Sequence, residues 1–140
     1  MFSSLRRAYE EIEREVAKYL EKLCSSGYTV ILFGSRARGD HRPDSDWDIL
    51  VVGDSKPEVS LLPVNLFFYK PLELDENIEN FNTIVIDAFY EGKPLCDNLG
   101  IYGKYREKVL EEVSKRRLIK RRDGWFPADR QMQGNPGHDG

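Results

Sequence analysis

Between Ile31 and Val52 the chain reads ILFGSRARGDHRPDSDWDILVV. Two apolar runs of strand length are joined by a glycine-serine turn and a charged stretch that Pro43 closes. Gly34-Ser35 follows the first run, and Asp46-Trp47-Asp48 opens the second. Any fold of this chain must seat a tight turn at the end of one strand and a pair of acids at the head of another.

The surrounding pattern is that of an α/β (α+β) domain. From about Ser4 to Ser25, Leu5, Tyr9, Ile12, Val16, Leu20 and Leu23 recur at three- and four-residue steps, which predicts an amphipathic helix. Tyr28–Phe33, Trp47–Val52 and Val64–Tyr69 read as strands, the last bracketed by Pro63 and Pro71. A second helix is expected from about Asp75 to Glu91, then a short edge strand at Leu95-Cys96, then a third helix from about Ile101 to Arg117. The connection between Val52 and Val64 is too short for a helical crossover, so those two strands are expected to pair antiparallel. The result is a mixed β-sheet flanked by helices. The expected domain is 1–122, with its core at 1–97 and a C-terminal helix near 101–117. Residues 123–140 are glycine- and proline-rich and read as a C-terminal tail whose last ten or so positions are loose.

Composition bounds the partners. A chain of 140 residues makes one domain with a real core. Charged residues are 32% of it, yet the net charge is only −3, which argues against a globally basic nucleic-acid binder. Cys24 and Cys96 stand in no metal-binding spacing and are expected as thiols in a reducing cytosol. No run approaches the length of a membrane span, and the charged N-terminus is no signal peptide, so a cytoplasmic location is expected.

The acids carry the chemistry. Alternate residues of a strand share a face, so Asp46 and Asp48 project together, roughly 6–7 Å apart along the strand. Trp47 and Ile49 face the other way. Two carboxylates so placed repel each other unless a cation sits between them. Oxygen ligands with no His or Cys nearby favour Mg²⁺, which keeps positions open for phosphate oxygens. Gly34 lets backbone approach a phosphate, Ser35 offers a hydroxyl, and Arg36 and Arg38 carry guanidinium forks suited to phosphate. These parts suit a nucleoside triphosphate. Each alone has a plain structural reading: a turn, a solvated strand start, surface charge.

Gly34-Ser35-x10-Asp46-x-Asp48, with Arg38-Gly39 inside it, resembles the signature of the polymerase-β-like nucleotidyltransferase superfamily. The short chain resembles the minimal nucleotidyltransferases of archaea and bacteria, over about residues 1–97. The resemblance implies a polymerase-β-like nucleotidyltransferase fold. It implies Asp46 and Asp48 as the ligands of one or two Mg²⁺, and Gly34 and Ser35 as the holders of the β- and γ-phosphates. It implies transfer of a nucleoside monophosphate to an acceptor hydroxyl. It also implies ATP as donor and a HEPN-domain protein as partner, modified by adenylylation in a toxin–antitoxin pair.

One position departs from the family pattern. The next strand of such proteins carries a third acid, and here Asn65 occupies its place in VNLFFY. An amide can ligate a metal weakly but cannot act as a base. Glu73 and Asp75 lie past Pro71 and are poor substitutes. The chain is thus either an active transferase or a nucleotide-binding module that regulates a partner by binding alone. RNA or a small hydroxylated molecule is the remaining class of acceptor. Lys115, Arg116, Arg117, Lys120, Arg121 and Arg122 form the one basic cluster, readable as a helix end or as a partner surface. Trp125 and Phe126 read as a hydrophobic anchor for the tail, His41 as a surface residue near the acids, and His138 as part of the tail.

Overall fold

The computed structural model describes residues 2–128. Helix α1 (Phe2–Ser25) leads into β1 (Thr29–Phe33), the short helical turn α2 (Ser35–Arg38), β2 (Trp47–Val52) and β3 (Val64–Tyr69). Then come a 3-10 turn (Pro71–Glu73), α3 (Leu74–Glu79), α4 (Thr83–Glu91), β4 (Lys93–Asp97) and α5 (Tyr102–Lys115). A hairpin of β5 (Leu118–Arg121) and β6 (Gly124–Pro127) follows.

Four strands form one mixed sheet in the order β3-β2-β1-β4. Alternation along its strands sorts the core into two layers. Val30, Ile49 and Val51 pack with Leu23 under α1. Ile31, Phe33, Leu50 and Val52 face Val85, Ile86 and Phe89 of α4, with Tyr105 and Val109 of α5 behind them. Phe89 is fully buried. A side chain of that size contributes about 1.5–3 kcal/mol when taken out of water. Asp97 ties the sheet to α5. Its carboxylate accepts from Thr29 Oγ1 at 2.8 Å and from the amides of Ile101 and Tyr102 at 3.0 and 3.1 Å, satisfying the helix N-terminus. Burial alone would raise its pKa, but these hydrogen bonds outweigh it and hold the carboxyl below the usual aspartate value.

Four expectations are corrected. First, β2 and β3 pair parallel, not antiparallel, with Asp48 opposite Asn65. The connection makes the return without a helix, because extended chain covers about 3.3 Å per residue. It lies against the α1 side, where Tyr19 Oη donates to Glu58 O at 2.9 Å and Tyr28 Oη to Ser55 O at 2.7 Å. Second, the expected 75–91 helix is two helices. Phe81 has φ 53° and breaks the run. Asn82 then caps α4, its Oδ1 accepting from Ile84 N at 3.0 Å. Third, the 118–127 hairpin straddles the boundary drawn after Arg122. The expected loose end beyond it lies outside the described residues. Fourth, Cys24 and Cys96 are joined as a disulfide, with Cα atoms 5.9 Å apart. A separation of 72 residues gave no hint of this. The antiparallel β1–β4 pairing carries Cys96 beside Val30, next to the end of α1.

No described helix is long and apolar enough to cross a membrane.

The disulfide closes a loop across 72 residues, a constraint on the unfolded chain worth about 4 kcal/mol. Urea titration of oxidised protein against the double variant Cys24→Ser/Cys96→Ser is expected to show a loss of that order. Coincident midpoints would mean that the link adds nothing.

Candidate active site

Three neighbouring strands bring the Gly34 turn, the acids and Asn65 to one place. Phe33, the last residue of β1, pairs with Asp48 at the head of β2, and Asp48 pairs with Asn65 at the head of β3. Gly34 follows at once. Its φ of 76° suits a residue without Cβ, and a Cβ there would collide with the Asp48 carboxylate. The glycine is required on both counts.

Asn65 points at the two acids. Its Nδ2 donates to Asp48 Oδ1 at 2.9 Å and lies 3.4 Å from Asp46 Oδ2. One amide group thus bridges both carboxylates, and Asn65 occupies the point on which Asp46 and Asp48 converge. Glu73 and Asp75 are engaged elsewhere. Glu73 Oε1 accepts from Lys70 N at 2.7 Å, and Asp75 pairs with Lys108 of α5.

Gly34, Ser35, Arg38 and Asp48 form one wall of a cleft of about 730 Å³. Arg38 is held by Asp40 at 3.2 Å and by Glu91 of α4 at 3.1 Å. Burial works against its charge, but hydrogen bonds to these two acids more than compensate, and its pKa is raised.

Arg36 does not face this cleft, contrary to the expectation that it neutralises phosphate. In a helical turn its side chain lies about 100° from Ser35 and opposite Arg38. Its side chain is only 5% exposed. Nε and Nη2 donate to Ser45 O at 3.2 and 2.9 Å, and Nη2 also donates to Pro43 O at 3.2 Å. The guanidinium stacks on Trp47, 3.4 Å from the ring centroid, with Glu13 of α1 at 3.8 Å. Burial pushes its pKa down, while Glu13 and Asp46 pull the other way. Arg36 therefore fastens the 42–45 turn and sets the approach to Asp46. His41 is exposed and lines a groove with Leu5 and Tyr9 of α1, apart from the cleft.

The far wall of the cleft was not read from the sequence. It is built by Thr83 and Asp87 of α4 and by the hairpin, which contributes Leu118, Lys120, Arg122 and Trp125. Trp125 is the anchor expected of it. Its Nε1 donates to Asp87 Oδ1 at 2.8 Å, and its ring meets Tyr90 and Phe81 edge-on at 4.8 and 5.5 Å. Phe126 is more exposed, at 39%. Asp123-Gly124 between Ile119 and Trp125 is a hairpin signal that could have revealed this wall.

With this geometry in hand, the comparison with known proteins is direct. The nucleotidyltransferase domain family matches residues 13–120. The chain belongs to that family as a minimal nucleotidyltransferase of the polymerase-β-like fold, and its chemistry is nucleotidyl transfer. A protein of Methanocaldococcus jannaschii named "Putative protein adenylyltransferase" is 36% identical to it over 83 residues, covering 59% of this chain and 71% of the relative.

Arg36→Ala leaves the carbonyls of Pro43 and Ser45 without their donor and uncovers Trp47. It is expected to cost about 2–3 kcal/mol of stability, read by thermal unfolding, and to weaken Mn²⁺ binding in titration calorimetry by loosening Asp46. Arg36→Lys keeps the charge but not the planar fork, so it should recover only part. Wild-type stability in Arg36→Ala would refute the clamp.

Proposed function

We propose that the chain moves AMP from ATP onto a hydroxyl of a partner protein, with Mg²⁺ held at Asp46 and Asp48. The observation that carries this is that the Asn65 amide joins Asp46 to Asp48, and that Asp48 lines the cleft with Gly34 and Ser35. The name of the M. jannaschii relative supports a protein as acceptor. A HEPN-domain partner in a toxin–antitoxin pair is the acceptor that the family resemblance suggests.

The donor set suits such a cation. Two carboxylates and an amide are hard ligands. No group of three His, Cys, Asp or Glu that could hold a metal exists among the described residues, and at this site the third polar group is the Asn65 amide. Asn65 now turns its N–H toward both acids. Its Oδ1 is nearly isosteric with Nδ2 and serves as ligand after an amide flip. Bound Mg²⁺ would neutralise the phosphates and stabilise the departing pyrophosphate.

The residues of the chain do the rest. Gly34 and Ser35 hold the β- and γ-phosphates, and Arg38 adds charge from the same wall. The acceptor oxygen forms a bond to the α-phosphorus as the α–β bridging bond breaks, and pyrophosphate leaves with that electron pair. Asn65 accepts no proton, so the attacking hydroxyl gives its proton to one of the two carboxylates or to water. That feature favours a second reading, in which the chain binds ATP and regulates its partner without efficient transfer.

α-³²P-ATP, Mg²⁺ and a partner-containing lysate separate the two readings. Label is expected on a protein, and Asp48→Ala should cut transfer by about 10³-fold or more. Asn65→Asp should raise it by about tenfold if the missing acid limits the rate. ATP binding with no label under Mg²⁺ or Mn²⁺ would favour the regulatory reading, and absence of both would sink the proposal.

A further inference from the structure

The basic cluster from Lys115 to Arg122 has no single role, because the fold divides it. Arg116 serves the helices: its Nε donates to Glu112 at 2.7 Å, its Nη2 donates to Glu79 O at 2.7 Å, and its guanidinium lies over Phe81. Beyond α5 the period changes from helical to two-residue, and alternate side chains share a face. Leu118, Lys120 and, at the turn, Arg122 line the cleft, while exposed Arg121 lies over Phe126.

Lys120 is the unusual member. Its side chain is only 12% exposed, and its ammonium is shared between Asp87 at 3.4 Å and Glu91 at 3.8 Å. Both distances exceed those of a direct charge-assisted hydrogen bond, about 2.7–2.9 Å. Both acids also have closer partners. Asp87 accepts from Trp125 Nε1 at 2.8 Å, and Glu91 pairs with Arg38 at 3.1 Å. The acids therefore hold Lys120 at the cleft wall without depending on it, and its donors can turn to another anion. Arg122, 80% exposed, has Asp40 at 3.8 Å. Across the cleft stand Gly34 and Ser35.

We propose that Lys120 and Arg122 are ligands of the nucleotide's phosphates, and that the hairpin is the second wall of the nucleotide site. The inference rests on the transfer reading above and adds a binding element to it. The anion they fit is a triphosphate, whose charge exceeds what one Mg²⁺ and Arg38, itself paired with Asp40 and Glu91, can balance. The anchored indole of Trp125 keeps the hairpin, and with it Lys120, in place against α4. The family match stops at residue 120, so Lys120 is its last matched position and Arg122 and Trp125 follow it.

Calorimetric titration of the full chain with ATP and with AMP, each with Mn²⁺, tests this. Lys120→Ala is expected to weaken ATP about tenfold and AMP less than about threefold, and Lys120→Arg to restore most of the ATP affinity. Arg122→Ala, at an exposed position, should shift ATP in the same direction by about threefold, and it keeps the test open if Lys120→Ala does not fold. The proposal is overturned if wild-type protein binds ATP and the variants bind it as tightly, or if ATP and AMP weaken equally. If the wild-type chain binds no nucleotide, this inference falls together with the transfer reading.

Discussion

The lateral register of three strands is what the site depends on. Phe33, Asp48 and Asn65 lie side by side on β1, β2 and β3, and a slip of one residue in either pairing would turn an acid or the amide to the opposite face of the sheet. The buried alternation forbids the slip. Moving β2 by one position would exchange Leu50 and Val52 for Ile49 and Val51 between two packed layers, and both layers are closed, one by α1 and the other by α4 and α5. The free energy of the core thus holds the geometry of the carboxylates.

Around this register the polar groups are organised in two systems. On the α1 side Arg36 gathers the carbonyls of the 42–45 turn and stacks on Trp47, so the residue between the two acids is held from its far face. On the opposite side a chain of contacts runs from Asp40 through Arg38, Glu91, Lys120 and Asp87 to Trp125. The second system joins the Gly34-Ser35 turn to a hairpin some eighty residues further along the chain. Alternating charges of this kind satisfy one another, and Arg38 and Lys120 line the cleft together with Asp87.

Asn65 gives the site its particular character. In this structure the amide donates to carboxylates that would otherwise face each other across a short gap, and it does so without a net charge of its own. A carboxylate in its place would add a third negative charge and demand more cation to hold the cluster together. The same substitution withholds a proton acceptor. Under the transfer reading proposed above, structural ease and catalytic competence pull in opposite directions at this residue.

Much of this was legible from short-range pattern. The extents of β2 and β3, the turn at Gly34, the shared face of Asp46 and Asp48 and the family itself follow from two-residue alternation, from glycine's backbone freedom and from one spaced motif. What escaped lay in side-chain direction and in how separate segments meet. Arg36 and Arg38 look equivalent in the sequence and lie on opposite sides of one helical turn. The Cys24–Cys96 link and the hairpin wall join segments far apart in the chain, and the parallel pairing of β2 with β3 depends on where the 53–63 connection packs. The sequence by itself determined where the strands lie and which residue types stand at their heads, because strand period and residue type are local properties. Only the tertiary structure decided which of them meet, because that is set by how two buried layers close around one sheet.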